Sequence, residues 1–219
     1  MKIKTYILRS GFTKAPLFQS AVHRSCIVAI KRIQRILNIQ RNIDIVCYVN
    51  PQSTIPEIGI GGFTPNAHTI FISLDPNHKY FRHALRNALP RTLAHELHHA
   101  VRWLKPGYGQ TLGEALVTEG LAAHFELEVF GGKPNAWDIS VRGKKLNRLL
   151  TRSRPEWHTP YNHNAWFFGS KERNIPRWTG YALGYNLVDQ ALKANPSWKP
   201  SALVNVPVSR IIPDPKSRS

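Results

Sequence analysis

Between residues 17 and 38, apolar side chains return every three or four positions (Leu17, Phe18, Ala21, Val22, Ile27, Val28, Ile30, Ile33, Ile36 and Leu37) with basic residues between them. That spacing predicts a long amphipathic helix. Residues 43–49 (IDIVCYV) are β-branched and aromatic and predict a strand, as do residues 69–74 (TIFISL), stopped by Asp75-Pro76. Pro51 to Pro56 is a loop, and residues 58–64 (IGIGGFT) form a Gly-rich strand or bulged edge that another backbone can approach closely. A short helix is expected around Phe81–Leu89. A second, half-buried helix follows, apolar at 93, 94, 97, 100, 101 and 104, with Pro90 in its first turn and Pro106-Gly107 as its stop.

Thr111-Leu112-Gly113-Glu114 has the form of a capping box and opens a helix to about Phe130, ended by Gly131-Gly132-Lys133-Pro134. Residues 143–153 predict a short basic helix and 180–194 return to helical spacing. From Pro155 to Trp178 the chain is rich in Pro, Asn, Trp and His and reads as a long packed loop. The chain after Asn195, with five prolines, reads as an extended tail. Strands early and helices late predict an α+β fold, a small mixed sheet followed by a mainly helical C-terminal part. The expected organisation is one domain over 1–195, with a helix-plus-sheet lobe (1–89) and a helical lobe (90–195), followed by the tail 196–219.

Composition narrows the class. The 219 residues are 42% apolar, enough for a core, and no run approaches the 18 apolar residues of a membrane span. The N-terminal nine residues begin with charge and never reach the apolar stretch of a secretory signal, so a cytoplasmic location is expected. Cys26 and Cys47 lack metal-ligand spacing and are expected to be buried, inert thiols. The formal net charge is +17 and uneven: residues 1–43 hold nine Lys or Arg and no acid. A second cluster from Lys133 to Arg154 sets seven basic residues against Asp138. Such fields attract polyanions, nucleic acid or anionic lipid, yet no recognisable nucleic-acid module accompanies them.

The candidate chemistry lies in His95-Glu96-Leu97-His98-His99, an HExxH pentad inside the predicted helix. His95 and His99 are four apart and project from one face, where both can reach one Zn²⁺ at about 2.0–2.1 Å. Glu96 stands beside them, placed to take a proton from a metal-bound water. His98 is expected to support the site or to face solvent. Catalytic zinc usually takes three protein ligands, and the candidates downstream are Glu114, Glu119, His124, Glu126 and Glu128. Glu114 is wanted by the capping box; His124 and Glu128 are expected at the surface, and Glu126 in support of the ligands. Glu119 is favoured, because Gly120-Leu121-Ala122-Ala123 would let its helix approach the HExxH helix closely.

The pentad, then Glu119-Gly120-Leu121-Ala122 after a nineteen-residue spacer, resembles the gluzincin pattern of zinc peptidases. More narrowly, Gly61 to Pro65, Thr92 to Arg102, Thr111 to Glu126, Trp166 to Gly169 and Gly180 to Tyr185 resemble a bacterial family of unknown function described as zinc-dependent proteases. The resemblance implies a zincin-like fold with the sheet packed on the HExxH helix. It implies His95, His99 and Glu119 as zinc ligands, Glu96 as general base, and a sheet edge near Gly61–Pro65 that holds an extended peptide. Some gluzincins carry an acid four residues after the ligand Glu; here that position is Ala123.

The expected activity is zinc-dependent hydrolysis of peptide bonds in a peptide or protein substrate. Tyr181 is the first candidate for stabilising the oxyanion, with Tyr185, His163 and Arg177 in reserve. The competing reading is a basic protein that binds nucleic acid or anionic membrane and keeps zinc for structure. Four protein ligands close most structural zinc sites, which have no use for Glu96.

Overall fold

The computed structural model describes residues 2–12 and 17–212. They form a mixed α+β protein of two compact units, divided after Leu104. The first unit opens with strand β1 (Ile3–Ile7), helix α1 (Leu17–Ile33) and strand β2 (Ile43–Val49). β1 and β2 pair in parallel, Ile3 opposite Ile43, and α1 is the crossover such a pair requires. β3 (Ile60–Asn66) and β4 (Thr69–Leu74) form a hairpin, and β4 pairs in parallel with β2, giving the sheet order β1-β2-β4-β3.

Alternation sets the faces of the sheet. Ile43, Ile45 and Cys47 are buried while Asp44 is exposed, as period two demands. β1 escaped the sequence reading because its residues IKTYI are at most half-buried. The periodic pattern of α1 was expected to run to 38. The helix instead ends at Ile33 and loosens into a mixed turn, with Leu37 still bonded to the Ile33 carbonyl at 2.8 Å.

Helix α2 (Phe81–Arg102) is the largest correction: one continuous helix replaces the two expected on either side of Pro90. An interior proline withholds its N–H from the carbonyl four residues back and costs about 3 kcal/mol. Leu85, Leu89, Leu93 and Leu97, all at most 4% exposed, offset that cost by burial at about 1.5–3 kcal/mol each. α2 packs on α1 and β3. Cys26 and Cys47 are free buried thiols, as expected, with sulfurs 3.9 Å apart. Their hydrogen bond, with burial, pushes the Cys47 thiol well up.

The second unit is helical. α3 (Leu112–Phe130) begins at the expected capping box: Thr111 Oγ1 accepts from Glu114 N, and Glu114 Oε2 accepts from Thr111 N at 3.1 Å. α4 (Gly143–Ser153) buries Leu146 and Leu149 and exposes Lys144, Lys145, Arg148 and Arg152. The loop expected over 155–178 contains α5 (His163–Phe167), whose N-cap Asn162 accepts from Ala165 N at 2.9 Å. α6 (Thr179–Ala194) crosses α3 at glycines: a Cβ on Gly120 would lie 2.2 Å from the Gly184 carbonyl. The small residue after Glu119 therefore serves the approach of α6.

The expected extended tail contains two short helices among its described residues. α7 (Pro200–Leu203) and α8 (Val208–Ile211) bury Leu203 and Ile211 in one cluster with Val117, Leu121 and Val188. Glu128, expected at the surface, instead accepts from Ser201 N at 2.8 Å and Ser201 Oγ at 2.6 Å. The remainder of the tail, 213–219, lies outside the described residues. No helix among them is long and apolar enough to cross a membrane.

Candidate metal centre

α2 carries the pentad in the middle of its buried half. His95 and His99, one turn apart, hold their rings edge to face with centroids 4.6 Å apart. Glu96, next in sequence, turns toward β3. It is 6% exposed, and its Oε2 accepts a hydrogen bond of 2.6 Å from Thr64 Oγ1. Its other oxygen sits against Gly62, where a Cβ would come within 2.5 Å of Oε1. Thr64 is itself held, its carbonyl accepting from Trp103 Nε1 at 2.9 Å. The strand has an irregular register between Phe63 and Asn66, and Pro65 lies in that stretch. β3 is an edge of the described sheet, where a proline forfeits no ladder bond. His98, expected to support the site or face solvent, is fully buried.

Glu119 lies on α3 and is 4% exposed. Tyr108 Oη donates to its Oε1 at 2.5 Å. Burial, then the Glu119 charge, pushes the Tyr108 phenol well up, so it remains a donor. Tyr161 is pushed up to about 12 by burial and then by the charges of Glu119 and Glu114. His163 bonds Tyr161 Oη through Nδ1 at 3.2 Å and stacks on Phe167. Burial lowers the His163 pKa against the opposing pull of Glu119, so its ring is neutral at pH 7.

The remaining candidates divide plainly. Glu114 is taken by the cap, and its Oε2 also accepts from Gln110 N at 2.8 Å. Glu126 is 3% exposed and accepts from Asn135 Nδ2 at 2.9 Å. His124, expected at the surface, is 8% exposed and stacks on Tyr185, donating to its carbonyl. Tyr181 stands between Phe167 and Trp178, with ring centroids at 5.0 and 5.6 Å. The Arg177 guanidinium lies over the Trp178 ring at 4.0 Å.

His95 and His99 in the first unit and Glu119 in the second are the residues that could hold a metal ion. Two imidazoles and a carboxylate are the donor set of a three-ligand zinc site, so the residues present fit the metal. Thr64, Tyr108 and Tyr161 were missed in the sequence. The Gly-Gly-Phe-Thr stretch flagged a close backbone approach; nothing marked the two tyrosines.

The chain is thus a mixed α+β protein whose His95, His99 and Glu119 are of the types that could hold zinc. The chain belongs to the DUF2268 family, described as "Predicted Zn-dependent protease", whose pattern covers residues 22–213. No curated protein and no solved structure matches it.

Proposed function

We propose that the protein is a zinc metallopeptidase of zincin-like, gluzincin type, a single catalytic domain in which His95, His99 and Glu119 hold the metal. Zinc bound there would lower the pKa of its water toward about 7 and polarise a peptide carbonyl. Glu96 is the base. With Oε2 engaged by Thr64, Oε1 is the oxygen that takes the water proton and returns it to the leaving amine. Tyr181 is proposed as the hydrogen-bond donor to the developing oxyanion. The extended substrate adds to the edge of β3, whose Gly62 lies directly against the base.

The observation that carries the reading is Glu96, a carboxylate beside the first histidine, buried and oriented by a neutral hydroxyl, with no cation paired to it among the described residues. A purely structural zinc site has no use for it. Glu96→Gln should retain stoichiometric zinc and lose peptide hydrolysis by about 10²–10⁴-fold. Full hydrolysis in zinc-loaded Glu96→Gln overturns the reading. A second reading, polyanion binding with a structural zinc, is favoured by the exposed basic face of α4. It requires affinity for nucleic acid or anionic vesicles that collapses with salt, in a protein indifferent to Glu96.

A further inference from the structure

A groove of about 580 Å³ runs between α1 and the N-terminal half of α2, the half that precedes the pentad. Its floor is apolar, made by Phe18, Ala21, Leu85 and Pro90; its rim is Arg24, Arg82 and Arg86, all exposed. The Arg82 guanidinium lies 5.7 Å from the Phe18 ring centroid, so cation and apolar floor are contiguous. Ser25 Oγ, bonded to the Leu85 carbonyl at 2.5 Å, ties the two helices together along the floor.

The charge here is one-sided. Arg82 and Arg86 stand at i and i+4 on one helix face, a like-charge pair that disfavours the helix. The carboxylates before residue 104 are Asp44, Glu57, Asp75 and Glu96, and none lines the groove. Three arginines around an apolar floor, with no acid among the described residues that line it, complement an occupant that is both anionic and apolar.

The depth of the floor selects among such occupants. Val28 stands out at the rim, 69% exposed, whereas Leu85 is only 4% exposed. A bilayer surface reaches the projecting rim; side chains projecting from a peptide helix reach down to Leu85. A groove walled by two helices also suits a third helix, its apolar stripe in the groove and its flanking carboxylates on the arginines. We propose that this groove is a docking site for an acidic amphipathic helix of a protein partner.

The test uses the full zinc-loaded chain and fluorescein-labelled 16-residue peptides made of Leu, Glu and Ala. One places Leu at i, i+3, i+4 and i+7 with Glu on the flanks, and the other is its scramble. Fluorescence anisotropy should show the patterned peptide binding at least about tenfold tighter than the scramble. Arg82→Glu with Arg86→Glu, both at exposed positions, should weaken it by about tenfold or more and reduce its salt dependence. Val28→Glu, at the rim, should weaken it without removing a cation. Zinc content and peptide hydrolysis should be unchanged in all three substitutions, which separates failure here from failure of the peptidase reading. Equal binding of the scramble, or indifference to the Arg82/Arg86 reversal, overturns the proposal. So does Arg82/Arg86-dependent binding to phosphatidylserine vesicles without binding of the patterned peptide, which would make the groove a lipid site.

Discussion

Glu96 and Glu119 are two nearly inaccessible carboxylates, each receiving one short hydrogen bond from a hydroxyl, yet their settings differ. In the first unit Thr64 grips Glu96 from an edge strand, and Gly62 leaves room for the other oxygen. In the second, Tyr108 grips Glu119 from a turn, and a further ring pair, Tyr161 and His163, feels the same charge. One carboxylate packs an oxygen against the backbone of a strand; the other is held by a phenol with a pKa pushed well up and lies near a second raised to about 12. A base needs the first arrangement and a metal ligand tolerates the second. On the proposed reading, local surroundings and not residue type separate the base from the ligand.

The sharpest way to break the contrast is Gly62→Ala. Its methyl would meet Glu96 Oε1 at 2.5 Å and must displace the carboxylate. Hydrolysis should fall by about 10²-fold, the scale of a misplaced catalytic group, while zinc binding is retained. Steady-state kinetics with zinc analysis on the same sample checks it.

Next come two hydroxyl deletions of similar chemistry and different consequence. Thr64→Val removes a bond to a buried charge worth about 1.5–3 kcal/mol, so kcat should fall roughly ten- to a hundredfold with KM and zinc affinity unchanged. Tyr108→Phe should instead weaken zinc by about ten- to a hundredfold, the usual effect of losing a partner behind a ligand. Thr64→Ser should restore most of kcat. If both deletions moved the same quantity, the two carboxylates would not have separate roles.

The smallest effect concerns the tyrosine cluster. From pH 10 upward an unfolded Tyr161 releases its proton, whereas the folded one keeps it until about 12. The unfolded state then binds fewer protons, so stability falls as pH rises through that window. Tyr161→Phe should make the decline shallower in denaturant titrations between pH 10 and 12. An unchanged slope would remove Tyr161 from the field of Glu119.

The same contrast explains what could be read from the chain itself. The HExxH helix and the Thr111 cap were legible because both are local: one depends on residues four apart, the other on residues three apart. Strands β2 and β4 declared themselves through β-branched runs; β1, half polar and half-buried, did not. Pro90 misled because its local cost is real and only tertiary burial of the flanking leucines outweighs it. The tail misled in the same way: its prolines suggested extended chain, while Leu203 and Ile211 complete an apolar cluster. Gly120 was legible as a close-approach residue, but the helix it admits, α6, was not. Thr64 and Tyr108 were illegible because each acts across a fold that spacing does not encode, 32 residues from Glu96 and 11 from Glu119.

The proposed peptidase requires that two imidazoles and one carboxylate, and no thiolate, hold zinc. X-ray absorption at the zinc edge of the purified full chain tests it directly. The account predicts light scatterers alone at about 2.0–2.2 Å, with the multiple-scattering pattern of two imidazoles, and loss of stoichiometric zinc in Glu119→Ala. A sulfur shell near 2.3 Å, or an unchanged spectrum at full occupancy in Glu119→Ala, would contradict it.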